Sequence, residues 1–138
     1  DLTGMAGEYA WARWTGQRVD HRRLAGGDEF DFPDGTDVKA TTRYPDCHLL
    51  WNVGKPMRAT RLILVGVDIS GRRAVLLGEA SREKMLAAPR LDFGYGLRHA
   101  LYRSELRPPR PSDVPPPWMA EVFALLRLGG EGLTSAAG

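Results

Sequence analysis

The chain has 138 residues, of which 43% are hydrophobic and 26% are charged, and these values are typical of one globular domain. Its formal net charge of +2 is too small to indicate a nucleic-acid partner by itself. The single cysteine, Cys47, excludes an internal disulfide, and no apolar run approaches the ~20 residues that span a bilayer. The first residues lack the pattern of a secretion signal, so we expect a soluble cytoplasmic protein without a membrane partner.

The first predicted element is a helix over residues 3–15, in which apolar side chains recur at helical spacing and which Gly16 ends. A tight hairpin is predicted next, with strands at 27–32 and 36–42. Residues 33–35 between them read Pro-Asp-Gly. This is a turn sequence, because proline presets one φ angle and glycine is free to take a positive φ.

The register of this hairpin brings two carboxylates and one amine together. The turn should pair Phe32 with Thr36. The next pair is then Asp31 with Asp37, and Asp37 shares a strand face with Lys39 because side chains alternate along a strand. Directly opposed Cβ atoms lie roughly 5 Å apart, so both carboxylates can reach one divalent cation. The hairpin is a candidate metal site; the alternative is a solvated hairpin in which the lysine neutralises a neighbouring acid.

Further strands and a second helix follow in chain order. The strands are predicted at 47–53, 61–69 and 72–79. Ser81 is a typical N-cap for a short helix over 82–88, which Pro89 ends. Residues 91–107 mix glycines with apolar residues and indicate a short helix at their end. This order of elements indicates an α/β fold.

We divide the chain into a core domain, residues 1–107, and a C-terminal segment, residues 108–138. Six prolines at the start of the segment indicate an extended connector that lies over the fold. An amphipathic helix is predicted over 118–128, and its apolar face should pack on the core or on a second subunit. A homodimer or a partner subunit is therefore one expectation.

Two other patterns indicate structure rather than chemistry. The three histidines and Cys47 lack zinc-ligand spacing, since the adjacent Cys47 and His48 should point to opposite faces of a strand. Residues 93–96, Phe-Gly-Tyr-Gly, contain two glycines and predict a turn, not a dinucleotide-binding loop.

Several short motifs occur in the order that one nuclease superfamily shows. They are Gly7-Glu8-Tyr9-Ala10 on the first helix, Gly27-Asp28, Phe30-Asp31-Phe32, Asp37-Val38-Lys39-Ala40-Thr41 and Leu49-Leu50. This order resembles the PD-(D/E)xK, or restriction-endonuclease-like, nucleases and in particular their small phage and prokaryotic members. The resemblance covers roughly residues 4–80. It implies an αβββαβ core with a mixed central sheet flanked by helices.

The resemblance also implies roles for individual residues. The catalytic residues would be Glu8, Asp31, Asp37 and Lys39. A magnesium or manganese ion would be held by Glu8, Asp31, Asp37 and the carbonyl of Val38. The spacing from Asp31 to Asp37 is shorter than most members show, and Asp34 sits in the turn. Either Asp28 or Asp34 is therefore an alternative to Asp31.

Polar and basic residues near the hairpin are candidate phosphate contacts. They are Thr41, Thr42, Arg43, Lys55 and Arg58. The chain has 16 Arg and only three Lys, which favours a specific use for Lys39, because a compact amine can approach a phosphate or a bound water.

We therefore expect a divalent-metal-dependent nuclease that hydrolyses phosphodiester bonds in DNA, with RNA as the alternative substrate. The second hypothesis is a nuclease-like fold that binds DNA or a partner protein within a larger assembly and does not cut.

Overall fold

The computed structural model describes residues 2–17 and 32–109. These residues form a mixed α/β structure with two small sheets of three strands each. The helices are α1 (Leu2–Thr15) and α2 (Arg82–Leu86). The strands are β1 (Thr36–Thr41), β2 (His48–Asn52), β3 (Arg61–Asp68), β4 (Arg73–Ser81), β5 (Arg90–Asp92) and β6 (Leu97–Tyr102).

The first sheet has the strand order β1-β3-β4. Strand β1 runs parallel to β3, and β3 pairs with β4 as an antiparallel hairpin. The two strands of this hairpin were predicted from their β-branched runs, and the structure confirms them. In the connecting turn, the carboxylate of Asp68 accepts hydrogen bonds from the Gly71 backbone N–H and the Ser70 hydroxyl, which lower the pKa of Asp68.

The two faces of this first sheet bury two separate apolar clusters. Ile63, Val65 and Val67 pack with Trp11 and Trp14 of α1. The alternate side chains of β3 pack against the second sheet and α2, in a cluster that includes Leu49, Leu62, Leu64, Met85 and Leu101. Because side chains alternate along β3, the first sheet packs against α1 on one face and against the second sheet and α2 on the other.

The second sheet is antiparallel, with the order β2-β6-β5. A parallel pair needs a crossover connection, and β2 lies within the crossover from β1 to β3. It pairs with β6, where Leu50 lies opposite Ala100. The expectation of one mixed central sheet is therefore met only in part, since the strands divide between two sheets. The specific restriction-endonuclease-like core is not established by this arrangement.

Residues 91–107 differ from the sequence prediction. Leu97–Tyr102 forms strand β6, and only the turn that follows it, Arg103–Glu105, is helical, of the 3₁₀ type. Strand β6 gains its hydrogen bonds from β2 and β5 on either side. Pairing with strands distant in sequence thus decides its conformation.

The helices predicted over 3–15 and 82–88 are confirmed, with small differences in their bounds. Gly16 ends α1 with a φ of 75°. The Ser81 side chain accepts a hydrogen bond from the Lys84 backbone N–H at the start of α2. Among the described residues, no helix is long and apolar enough to cross a bilayer.

The predicted turn before β1 is also confirmed. The Phe32 N–H donates to the Thr36 carbonyl over 3.1 Å, and Gly35 has a φ of 88°. Phe32 thus lies opposite Thr36, as the turn sequence indicates. The rest of the first hairpin strand, including Asp28 and Asp31, lies outside the described residues. So do the C-terminal connector and the helix predicted over 118–128.

Gly7 marks the closest approach of α1 to β1. A Cβ atom at this position would lie 2.8 Å from the Cβ of Ala40 and 3.6 Å from Cγ1 of Val38. Two carbon atoms normally pack about 3.5–4.0 Å apart, so the helix lies this close because residue 7 has no side chain. Val38 and Ala40 face α1. Their neighbours on β1, Asp37 and Lys39, therefore face the other way.

Arg61 joins four parts of the structure. Its Nε donates to the Thr36 hydroxyl over 2.8 Å, and its Nη2 lies 3.5 Å from the turn residue Asp34. Its Nη1 lies 3.2 Å from a carboxylate oxygen of Glu79, which is 2% exposed, and its guanidinium covers the Trp11 ring. Because Glu79 is buried, its charge needs compensation, which Arg61 supplies together with Arg107, whose Nη2 lies 3.4 Å from the other carboxylate oxygen.

Gly7→Val should lower the free energy of unfolding by about 1–3 kcal/mol, the usual effect of overpacking. The loss should occur although valine is a better helix former than glycine. Met5→Val places the same residue at an exposed site of α1 and should cost about 0.7 kcal/mol or less. Urea unfolding followed by circular dichroism compares the two. Equal midpoints for the two variants would contradict the close packing of α1 on β1.

Arg61→Ala should destabilise the fold by about 3 kcal/mol, because it leaves the buried Glu79 without its nearer charge partner. Arg90→Ala, at an exposed position of β5, is the matched control and should change stability by about 0.5 kcal/mol or less. Adding Glu79→Gln to Arg61→Ala should recover part of the loss, since the uncompensated charge is then gone. Thermal melting measures these three variants and Glu79→Gln alone, and fully additive losses in the double variant would contradict the assigned ion pair.

Candidate active site on strand β1

Asp37 and Lys39 lie together on one face of β1. The parallel register sets Asp37 beside Leu62 and Lys39 beside Leu64 of β3, on the face turned toward the second sheet. The Lys39 ammonium lies 3.2 Å from Oδ2 of Asp37. The carboxylate residue is only 5% exposed, whereas the lysine side chain is 38% exposed. The pair therefore presents an accessible cation above a nearly buried anion.

Trp51 of β2 lies beside two lysines. The Lys39 ammonium lies 5.2 Å from the centroid of the Trp51 ring, and the Lys55 ammonium lies 4.7 Å from it. The indole N–H donates to the Lys55 carbonyl over 3.0 Å, which fixes the ring. Two of the three lysines in the chain therefore converge on one aromatic ring and concentrate positive charge beside it. We call Lys39, Lys55 and Trp51 together the basic corner.

Glu8 lies on α1, which packs on the face of β1 opposite to Asp37. Val38 lies between Asp37 and Lys39, with its side chain on the α1 face. The structure thus brings Asp37, Val38 and Lys39 together. The roles assigned to Glu8 and to Asp31 remain predictions, the latter because Asp31 lies outside the described residues. Within residues 2–17 and 32–109 there is no group of three or more acidic, histidine or cysteine side chains that could hold a metal ion.

Asp34, an alternative to Asp31, has a structural role in the turn. Its carboxylate accepts from the Thr36 backbone N–H over 3.1 Å, and its other oxygen lies near Arg61 and Gln17. Aspartate commonly closes turns in this way. Because Arg61 lies on the α1 side of the sheet, these contacts direct Asp34 away from the face that carries Asp37.

The candidate phosphate contacts divide into two groups, one at the end of β1 and one in the connection from β2 to β3. Thr41 continues the face of Asp37 and Lys39, and its hydroxyl accepts from the Arg43 backbone N–H. Arg43 and Thr42 are exposed just beyond the end of β1. Lys55 is brought beside Lys39 by the Trp51 ring. Arg58 is exposed in the connection that leads to β3.

A pocket of about 550 Å³ opens at the end of β1, beyond Thr41. Its aromatic wall consists of His48, Phe93 and Tyr95, which the sequence analysis did not include in the site. Two exposed aromatic residues flanking a glycine are the signal that could have indicated it. Residues 93–96 do form the predicted turn, in which Asp92 accepts from the N–H groups of Gly94 and Gly96.

Cys47 and His48 point to opposite sides, as their adjacency in sequence predicts. Cys47 is buried in the cluster between the sheets, and His48 contacts the exposed Phe93 ring. Burial raises the pKa of the Cys47 thiol, so the thiol stays protonated near neutral pH. A thiol that is buried and protonated is a poor nucleophile.

No family model, curated protein or solved structure matches this chain significantly.

Proposed function

We propose that this chain is a divalent-metal-dependent nuclease that hydrolyses phosphodiester bonds in DNA, built on a restriction-endonuclease-like fold. The observation that carries the proposal is the Asp37–Lys39 pair, a carboxylate and an ammonium 3.2 Å apart on one face of a strand. Phosphodiester hydrolysis needs an oxygen ligand for a metal ion beside a cation that can contact the phosphate or the attacking water.

The first sheet supports the proposed fold. It is mixed, and α1 packs on the face of β1 opposite to the Asp37–Lys39 pair. The acid-x-Lys sequence lies on a strand that pairs in parallel with a buried neighbour. Strand β2, which joins the second sheet, is an addition to the simple αβββαβ arrangement that the resemblance implies.

The oxygen donors suit magnesium or manganese rather than a softer metal. Asp37 offers a carboxylate and Val38 a backbone carbonyl, and both are the hard ligands that these ions prefer. Asp31 would complete the set, and Glu8, whose helix packs on the opposite face of β1, would join it only by reaching past the edge of that strand. When bound, the ion would polarise the phosphate and lower the pKa of a water molecule. Asp37 would hold its ligand atom in place, because its near-complete burial restricts its motion.

Lys39 would act on the substrate, since its side chain is the exposed member of the pair. Its ammonium can donate to a phosphate oxygen and stabilise the charge that develops there. The Trp51 ring limits the positions that the ammonium can take, and Lys55 on the same ring adds a second positive charge. Both effects would orient a phosphate at this corner.

The alternative is a nuclease-like module that binds DNA or a partner protein without cutting. One observation favours it. Lys39 and Lys55 converge on the Trp51 ring, and this concentration of positive charge can hold a phosphate without any metal ion. A protein of this kind would retain the basic corner at Lys39 and Lys55 and would bind phosphates through charge.

Asp37→Asn should reduce magnesium-dependent cleavage at least about 100-fold, because it removes a charged metal ligand at constant volume. Lys39→Met should reduce cleavage similarly but leave most of the metal binding intact, since an ammonium is not a ligand. The cleavage assay uses linear and circular DNA, single- and double-stranded DNA, and RNA, each with magnesium, manganese or EDTA. Calorimetry with manganese measures binding to the same variants.

Asp68→Asn and Lys84→Met are the matched controls, because both residues lie outside the proposed site. Each should cleave like the wild type. Cleavage that survives Asp37→Asn would contradict the assigned centre. If the wild type cuts none of the nucleic acids and its melting temperature does not rise with metal, the nuclease assignment is wrong.

A further inference from the structure

The pocket at the end of β1 has features of a binding site in its own right. It is lined by Thr41, Arg43, Asp46, Cys47, His48, Leu50, Phe93 and Tyr95. Its volume of about 550 Å³ lies within the ~300–1,000 Å³ of small-ligand sites. The Asp37–Lys39 face continues into it, because Thr41 lies two residues beyond Lys39 on the same side of the strand.

Three aromatic rings form one wall of this pocket. The ring centroids of His48 and Phe93 are 5.1 Å apart, and those of Phe93 and Tyr95 are 6.3 Å apart with nearly parallel planes. Phe93 is 42% exposed and Tyr95 is 56% exposed. Neither residue belongs to the two buried clusters of the structure. The rings therefore present flat apolar surface to solvent, which is available to a flat ligand.

The turn that carries the rings is held in place. Asp92 accepts hydrogen bonds from the N–H groups of Gly94 and Gly96, whose positive φ angles suit glycine. His48 also contacts the Tyr102 ring, with centroids 5.1 Å apart and the two planes at 68°. The Tyr102 hydroxyl donates to Asp46 over 2.9 Å. The aromatic wall is thus preorganised by contacts from two strands and a turn.

Positive charge lies beside the rings. The Arg98 guanidinium lies 5.1 Å from the centroid of the Tyr95 ring, and Arg43 lines the mouth of the pocket. An aromatic surface flanked by guanidinium groups matches the chemistry of single-stranded nucleic acid. The rings stack on bases, and the cations contact the backbone phosphates. A duplex does not offer this match, because its base faces are covered by neighbouring base pairs.

We propose that this pocket binds an unpaired base of a single strand, next to the phosphate held at Lys39. The phosphate at Lys39 rests on the proposed function, whereas the stacking of the base does not. Thr41 lies about 7 Å along β1 from Lys39, since each of the two residues of strand adds ~3.4 Å, so the pocket begins close to that phosphate. The substrate class is therefore nucleic acid with an unpaired segment beside the cleaved bond, such as an overhang or a flap.

The test measures binding in EDTA, so that metal-dependent cleavage does not contribute. Fluorescence anisotropy follows titration of a fluorescein-labelled DNA strand, its duplex and an RNA strand of the same sequence. Wild type should bind the single strand more tightly than the duplex. Phe93→Ala and Tyr95→Ala should each weaken single-strand binding about 5- to 100-fold. Tyr95→Phe, which keeps the ring, should bind like the wild type.

Leu86→Ala is the control, because Leu86 is a similarly exposed apolar residue on α2, which follows the end of β4 at the opposite end of the first sheet from Thr41. It should bind like the wild type, and melting curves should show all variants folded. The proposal is overturned if the wild type does not bind the single strand, if it prefers the duplex, or if the alanine variants keep full affinity. A loss confined to Arg43→Ala would show binding by charge alone and would also overturn it.

The proposed function is tested separately by cleavage with Asp37→Asn. If the protein cleaves none of the nucleic acids tested, and Phe93→Ala and Tyr95→Ala still weaken single-strand binding, the pocket proposal is correct and the nuclease assignment is wrong. If cleavage depends on Asp37 but the alanine variants bind and cut normally, the nuclease assignment is correct and the pocket proposal is wrong.

Discussion

The position of β1 depends on the contacts that the Arg61 guanidinium makes. It bonds to Thr36 at the start of the strand, approaches Asp34 in the preceding turn, and compensates the buried Glu79 on β4. The same group covers Trp11 of α1. One side chain thus ties the turn, two strands and the helix together. The strand that carries the candidate site therefore begins at a fixed point.

The alternation of side chains along β1 then determines which of its residues face the site. Because α1 lies almost in contact with β1 at Gly7, the face with Val38 and Ala40 is closed. The opposite face carries Asp37, Lys39 and Thr41 toward the second sheet. Trp51 of that sheet then lies beside the Lys39 ammonium. The close packing of α1 on one face of β1, and the position of β2 opposite the other face, together place the basic corner beside the nearly buried carboxylate of Asp37.

The sequence predicts those parts of the structure that depend on local physics. The helix before Gly16, the N-cap at Ser81 and the Pro-Asp-Gly turn are set by neighbouring residues, and the structure confirms each of them. The alternation that places Asp37 beside Lys39 is local as well.

Features that depend on contacts distant in sequence were not predictable in the same way. The pairing of β2 with β6, and the strand at Leu97–Tyr102, arise from partners about 50 residues apart. The meeting of Lys39 and Lys55 at Trp51 requires the same second sheet. The aromatic pocket likewise joins the end of β1 to a turn far along the chain. Whether Asp31 lies opposite Asp37 remains a prediction.

A metal centre at the Asp37–Lys39 pair is tested most directly by locating a bound divalent ion in the protein. Manganese broadens the NMR signals of nuclei close to it, and the broadening does not require cleavage. Titrating manganese into the isotope-labelled protein should first broaden the amide signals of residues 36–40 and the indole N–H of Trp51. Broadening centred on the exposed acidic turn at Asp68, or no selective broadening at all, would contradict a metal centre at the Asp37–Lys39 pair.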